Sequence, residues 1–312
     1  MLSTPCQPVR ATLICVGLLL APGASMAAPP DDVVGTVRNH VAVEADTLLD
    51  LARDNGLGFV EIAAANPGID PWLPRAGTRI VLPTAHLLPK ATRRGIVINL
   101  ADQRLYFFPP NLPPQSYPIG APTVGAGLRT GTARVVAKRI DPVWTPPPSV
   151  RAEDPDLPRA IPPGPDNPLG GFALDLDWEY VVIHGTNRPY GIGRRVSHGC
   201  FRLYPEDIEA LFKQVAIGTP VAIVNQPVKI GWIEGELHLE IHPSLDQADE
   251  IESKGAFTPE SIAELEPLVR EAAASFSDRI DWERVARAAR ERTGIPVPIF
   301  KQRGADSTAG VK

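Results

Sequence analysis

Cys200 sits in the stretch VSHGCFRL, with His198 two residues before it; His184 ends the apolar run YVVI a short way upstream. A thiol attacks as its thiolate, and with an ordinary pKa near about 8.5 it is mostly protonated at neutral pH. A nearby imidazole can take that proton, and the resulting thiolate–imidazolium pair is a strong nucleophile for carbonyl carbon. The imidazolium can then protonate a leaving amine. Gly199 lets the backbone approach a substrate closely, and the amides of Gly199 and Cys200 could point at the developing oxyanion. The chemistry these types offer is acyl transfer. Zinc is the sharper rival, since His184, His198 and Cys200 are ligands it accepts; a metal hydrolase would also want a catalytic carboxylate, and the motif holds none. A lone cysteine is often a small buried apolar residue, and His184 alone could be a satisfied core histidine. His40, His86, His238 and His242 lack such a context and read as structural or surface. The preferred reading needs no metal and no cofactor.

The compartment sharpens the case. The chain opens MLSTPCQPVRATLICVGLLLAPGASMAA: Arg10, then the apolar run Ala11 to Leu20, then small residues around Ser25-Met26-Ala27. That order reads as a signal peptide over residues 1–27, cleaved on export. A retained anchor is the weaker reading, because a span needs about 20 apolar residues and Pro22 and Gly23 interrupt this run. Of three cysteines, Cys6 and Cys15 leave with the signal. The one that stays cannot form an internal disulfide, and an unpaired thiol in an oxidising compartment implies a use for its reactivity. A net charge of −5, with both signs dispersed, offers no basic patch for nucleic acid. The 35 prolines imply long, stiff connections, since proline cannot donate to a ladder or sit inside a helix.

The elements that must carry these side chains read mostly as strands. From Gly95, GIVINL and QRLYFF form a hairpin signal, and SYPIGA, TGTARVVAKRI, GFALDLD, EYVVIHGT and TPVAIV continue the pattern. The one clear helix follows Cys200: Pro205 opens it, Glu206 and Asp207 suit its positive end, and Ile208, Leu211, Phe212 and Val215 line one face. Residues 95–226 are therefore expected to form a mostly β, sandwich- or barrel-like catalytic domain with one main helix. Residues 142–171, rich in proline and carrying Trp144, read as a stiff wall or lid over the site.

Two smaller regions flank this domain. After a flexible lead at 28–39, residues 40–84 give a β-α-α-β order: a strand in HVAVEA, a helix capped by Asp46 or Thr47 with Leu48, Leu49, Leu51 and Ala52 inward, a helix in FVEIAAAN, and the strand TRIVLP. Residues 84–94 are a linker. Residues 227–312 form a C-terminal extension: two strands, a helix from Pro259 to about Thr293 spaced by threes and fours, and a disordered tail in GADSTAGVK.

Two resemblances add to this reading. Residues 40–84, through Asp46-Thr47-Leu48, Ala52 to Gly56, Asn66-Pro67 and GTRIVLP, resemble a LysM module; that implies a glycan laid along loops holding Asp46, Thr47, Asn66, Gly68 and Ile69. A small packing domain without ligand is the alternative. Residues 95–227 resemble the YkuD-type L,D-transpeptidases, whose signature here reads His184-Gly185-Thr186 and then Ser197-His198-Gly199-Cys200-Phe201-Arg202. GIVINLADQRLYFF, IPPGPDNPLG and IHGTNRPYGIGRRVSHGC look closest to the subgroup that attaches the murein lipoprotein to peptidoglycan. The resemblance implies Cys200 as nucleophile, His184 as base, the Gly185 carbonyl orienting its ring and His198 supporting the loop. It implies Ser197, Thr186 and Trp144 at the substrate, and Arg202 meeting the substrate or bracing the loop. It also implies a periplasmic enzyme that takes a stem tetrapeptide as donor, releases D-Ala from a thioester and passes the acyl group to another stem's diamino acid or to a lysine of an outer-membrane lipoprotein. Acylation by carbapenems goes with the family. A hydrolase of the same fold and a non-catalytic wall binder remain open, the intact Cys/His pair speaking against the binder.

Overall fold

A computed structural model describes Met1 and residues 31–123, 129–197 and 199–302. The signal segment, His198 and the tail from residue 303 lie outside the described residues. At the centre is an eight-stranded sheet in the order Phe201–Arg202, Val182–His184, Phe172–Leu176, Gly131–Ile140, Pro220–Val224, Gly95–Asn99, Arg104–Phe108, Gln115–Pro118. Neighbours run antiparallel except Val182–His184 with Phe201–Arg202 and Pro220–Val224 with Gly95–Asn99. The sheet curls until its edges meet: just past Gln115–Pro118, the Gly120 amide donates to the Arg202 carbonyl and the Arg202 amide donates back. The barrel-like expectation holds, with closure at the strand that follows Cys200.

The alternation of side chains explains the curl. Ile96, Ile98, Leu105, Phe107, Val135, Leu174, Ile183, Phe201, Val221 and Ile223 point to the concave side, which the helix Pro205–Gln214 fills with Ile208, Leu211 and Phe212. Val97 and Tyr106 face the other way, into a second cluster with Leu88. Gly95–Asn99 is buried on both faces, so it reads as an unbroken apolar run.

The small module has the expected order: Arg38–Val41, Leu48–Asp54, Phe59–Ala65 and Arg79–Leu82, the two strands antiparallel. Thr47, not Asp46, caps the first helix by accepting from the Asp50 amide. The lead is not flexible over residues 31–39. Val33–Val34 pairs with His86–Leu87, and the Asp32 carboxylate accepts from the Trp232 amide. Within the linker, His86–Leu87 is correspondingly a short buried strand.

The C-terminal extension is also richer than expected. Val228–Ile233, Glu236–Ile241 and Val297–Pro298 form a three-stranded sheet. Instead of one helix there are Leu245–Lys254, Leu265–Ala273 and Trp282–Glu291, with a 3-10 turn Ala274–Arg279 between the last two. The break comes at Asp281, whose side chain caps the last helix by accepting from the Glu283 and Arg284 amides. The three-and-four spacing runs on across it because both helices pack against the same cluster around Leu239 and Phe300.

Candidate active site

His184 and Cys200 come together through strand register. Ile183 lies beside Phe201 and His184 beside Arg202 in a parallel pair. Ile183 and Phe201 are in the barrel core, so strict alternation sends Val182, His184, Cys200 and Arg202 to the opposite face. The histidine and the cysteine thus share one face of two adjacent strands, offset by two residues.

The His184 ring is held at Nδ1, 2.6 Å from the Gly185 carbonyl. A carbonyl only accepts, so the neutral ring carries its hydrogen on Nδ1 and leaves Nε2 as a free acceptor. The Leu169 carbonyl lies near enough to favour the protonated ring slightly, as does that of Gly185. Gly185 has no room for a side chain: a Cβ there would lie 3.1 Å from Ile208 Cγ2 and 3.3 Å from the Leu169 oxygen. Burial, then the Arg202 charge, drive the His184 pKa down to about 3.

The Cys200 thiol donates to the Tyr180 carbonyl at 3.3 Å. Tyr180 holds a left-handed backbone, φ 59°, which aims that carbonyl at the sulfur. Burial pushes the thiol pKa up, against a hydrogen bond from the Val182 backbone and the charge of Arg202. Desolvation therefore disfavours both charged forms, the thiolate and the imidazolium. Gly199 has φ 118°, a left-handed conformation open to glycine, which turns the chain into the Cys200 amide.

Among the residues the sequence places at the substrate, Arg202 is on the reactive face and Trp144 bridges Ile161 within the 142–171 segment. Ser197 and Thr186 also make internal hydrogen bonds. Ser197 is buried and its hydroxyl donates to the Cys200 carbonyl; Thr186 is buried and its hydroxyl accepts from the Arg188 amide. Both are engaged in shaping the loop. The zinc reading includes His198, which lies outside the described residues; among the described residues the grouping of possible metal ligands is Asp102, Glu240 and His242, and the Lys229 ammonium sits among its oxygens.

Sequence reasoning missed three supports. Asn167, fully buried, donates through its amide to the carbonyls of Pro142, Ile161 and Pro162 and accepts from the Leu169 amide. It ties the two ends of the 142–171 segment and sets Leu169 against His184. A lone Asn inside a proline- and glycine-rich stretch was the available signal. Tyr180 left no signal, because a backbone carbonyl carries none. The third support is the docking of the loop between His184 and Cys200. The Phe59 and Val60 amides donate to the Ile192 and Gly193 carbonyls, and Gly58 meets Gly193 so closely that a Cβ on either would overlap backbone. Arg195 pairs with Asp249 at 2.9 Å and Arg194 with Glu252 at 2.7 Å, both acids on the helix Leu245–Lys254.

Among the residues of the LysM-like loops, Asn66 is turned inward. It is buried, donates to the Ile62 and Val81 carbonyls and accepts from the Val81 amide. Thr47 is engaged as a cap, and Ile69 packs on the module's core. Asp46 accepts from the Val43 amide and pairs with His40 at 2.7 Å. Gly68 lies in open space with φ 80°.

Residues 93–223 match the family model described as the L,D-transpeptidase catalytic domain, YkuD. The Escherichia coli (strain K12) protein named Probable L,D-transpeptidase YcfS is 37% identical over 290 residues, 88% of this chain and 88% of that protein. Probable L,D-transpeptidase ErfK/SrfK of the same strain is 36% identical over 311 residues, 93% of this chain and 97% of that protein. The chain belongs to the L,D-transpeptidase family. As an L,D-transpeptidase it is an enzyme, and its similarity to those relatives runs through both flanking regions as well as the barrel. Among solved structures, L,D-transpeptidase 3 from Mycobacterium tuberculosis overlaps it in part, at 19% identity and TM-score 0.33, over 49% of this chain and 72% of that one. No helix of the described residues is long and apolar enough to cross a membrane.

Proposed function

We propose that this L,D-transpeptidase acts on peptidoglycan stem tetrapeptides through a thioester on Cys200, after export by its N-terminal segment to the periplasm. The observation that carries the residue roles is the shared strand face of His184 and Cys200, with Nε2 of the imidazole free to accept. As Sγ attacks the carbonyl of the diamino acid's L-centre, the thiol hydrogen turns from the Tyr180 carbonyl to His184. The new C–S bond and the proton transfer form together, so charge appears on the oxyanion and on the imidazolium in the transition state and not before. The Cys200 amide, turned by Gly199, is placed to meet that oxyanion. The imidazolium returns its proton to the nitrogen of D-Ala as the C–N bond breaks. An amine of a second stem or of a protein lysine then attacks the thioester, gives its proton to His184 and receives the acyl group; Cys200 leaves as the thiol by taking that proton back.

Transfer requires that water wait while an amine arrives. The 142–171 segment, pinned by Asn167 and touching His184 through Leu169, serves as that wall. The small module serves as a glycan tether through the open loops around Asp46 and Gly68, raising the local concentration of stems. Asn66, Thr47 and Ile69 hold its fold.

Incubation of the mature protein with purified disaccharide-tetrapeptides tests this by mass. A dimer lacking one D-Ala is expected, with Cys200→Ala abolishing it at unchanged melting temperature. A product that is only a monomer lacking D-Ala assigns hydrolysis instead, and turnover retained by Cys200→Ala overturns the nucleophile.

A further inference from the structure

A cleft of about 740 Å³ opens between the linker and the C-terminal extension, and no residue of the reactive face lines it. Leu88 and Ala91 form one wall, Ile262, Leu268 and Ala272 the other, and the strand Val228–Ile233 runs along the floor. That strand is an edge, paired only with Glu236–Ile241. Trp232 turns both of its backbone groups outward: its carbonyl accepts from the Asp32 amide at 2.8 Å, and its amide donates to the Asp32 carboxylate at 3.0 Å. Backbone direction repeats every two residues along a strand, so Val228 and Ile230 also present amide and carbonyl to the cleft. Among the described residues neither finds a partner there. Both ends of the edge are closed. Asp32 closes it at Trp232; at the other end the Gln226 side chain donates to the Lys90 carbonyl and accepts from the Lys90 amide. Between these ends the backbone groups of Val228 and Ile230 stand open, flanked by apolar walls.

Exposed edges are ordinarily blunted by charge, proline or a bulge, because they pair with other chains. From Val228 to Trp232 there is no proline, and the register with Glu236–Ile241 runs without a bulge. The one charge, Lys229, points away into the junction with the barrel, 2.8 Å from Asp102. We infer that this edge is a docking site for an extended segment of a partner polypeptide, apolar on both faces, which joins the sheet beside Val228–Ile233. The inference stands apart from the reading of the reaction. Another strand supplies donors and acceptors at two-residue spacing, whereas a docked helix bonds its own backbone internally and leaves the edge unpaired. Gln226 to Trp232 spans about 20 Å at the usual rise, room for about five or six extended residues. Their side chains would fall alternately toward Leu88 and Ala91 and toward Leu268 and Ala272. A second copy of this chain does not fit, because its own edge lies between the same walls and cannot come within the strand spacing of about 4.8 Å. Nor does the chain's own lead: Asp31 accepts from the Glu234 amide, Asp32 meets Trp232, and Val33–Val34 then turns off to His86–Leu87, short of Ile230. Lys90 and Glu271 pair across the mouth at 3.4 Å, both exposed, and a surface pair of this kind is weak enough to part on entry.

The test uses the mature full chain. In the free protein the Val228 and Ile230 amides should exchange hydrogen fast, while those of Lys229 and Gly231, turned toward Glu236–Ile241, are protected. Equal protection of all of them means that the edge is already covered, and overturns the site. The probe is a pool of capped hexapeptides randomised over Val, Ile, Leu, Thr, Tyr and Asp, with the retained fraction read by mass spectrometry. Retained sequences should slow the Val228 and Ile230 amides and leave Lys229 and Gly231 unchanged. A single N-methyl group placed at each position of the best binder in turn should weaken it about tenfold at alternate positions, the loss of one hydrogen bond with its partner left unpaired, and little at those between. Leu268→Lys, on a side chain 41% exposed, should abolish binding. So should Ile230→Pro, which removes an outward N–H at an edge position that tolerates proline. Both variants should keep the wild-type melting temperature; if Ile230→Pro melts early, Leu268→Lys and the methylated peptides decide. A pool from which nothing is retained overturns the site. Equal losses at every methylated position, the result for an apolar slot that grips side chains or an acyl chain, overturn the added strand. Binding that survives Leu268→Lys places the peptide elsewhere and overturns it too. Concentration-dependent dimerisation that Leu268→Lys removes would assign the cleft to a second copy instead.

Discussion

At Cys200 and His184 desolvation pulls in opposite directions along the pH scale, raising the thiol and lowering the imidazole to about 3. The acid limb of kcat/KM reports the free enzyme's base. It should therefore fall well below pH 6.5, the ordinary value for the ring, and an acid limb centred near 6.5 would remove His184 from that role. The same shift has a stability consequence. Above pH 6.5 the ring is neutral whether folded or unfolded; as pH falls toward about 3 only the unfolded chain takes up the proton, so folded stability drops across that window. His184→Gln should flatten this part of the stability–pH curve, as read by urea denaturation at a series of pH values. Much of this residue-scale chemistry was readable in advance, because His-Gly and Ser-His-Gly-Cys are side-chain signals. The direction of these shifts was not, since it depends first on the depth of burial, which residue types do not encode.

At the scale of elements, the strands were legible where two-residue alternation or an unbroken apolar run marked them, and so was the helix Pro205–Gln214. The elements passed over had weaker but present signals. Ser244 and Gln247 form a capping box at the start of Leu245–Lys254, a spacing visible in the sequence. Val33–Val34 is too short to announce itself and exists only because His86–Leu87 pairs with it. The 142–171 segment shows how a connection without much regular structure is made rigid: a single buried side chain, Asn167, joins its beginning to its end. Asn167→Ala would leave three carbonyls and the Leu169 amide without that partner, at a cost of about 2–3 kcal/mol. Because Leu169 contacts the His184 ring, the loss should also appear in chemistry. Loosened, the wall admits water, so the ratio of hydrolysed monomer to dimer in the tetrapeptide assay should rise. An unchanged ratio at a lowered melting temperature would confine Asn167 to stability.

At the scale of the whole molecule, the three regions that the sequence divides are joined by polar groups that composition does not reveal. Glu61 of the small module, fully desolvated and thereby raised in pKa, receives the Arg104 guanidinium of the barrel at 2.7 Å and faces His86 at 3.2 Å. Next to them the Lys229 ammonium of the C-terminal sheet lies 2.8 Å from Asp102 of the barrel and 2.6 Å from Glu240, with the Tyr106 hydroxyl at 2.8 Å. Glu240 in turn accepts from the Leu87 amide of the buried linker strand. Every region contributes an ion that would be stranded if its neighbour withdrew, and the loop bearing Cys200 is gripped by both flanking regions at Ile192, Gly193, Arg194 and Arg195. The flanks are therefore parts of the catalytic fold. Lys229→Met should test this most directly, because it leaves two buried carboxylates facing each other without their cation, a loss of about 3–5 kcal/mol. Without the ammonium one carboxyl would have its folded pKa raised above its unfolded value, so stability is retained at acid pH and lost as pH rises through that folded pKa; the defect should be larger at alkaline than at mildly acid pH. Hydrogen exchange resolves the spatial claim. Amides of Phe59–Ala65, Gly95–Asn99 and Glu236–Ile241 should lose protection together in Lys229→Met, whereas loss confined to Glu236–Ile241 would mean that the regions fold independently and that the polar junction merely fills the space between them.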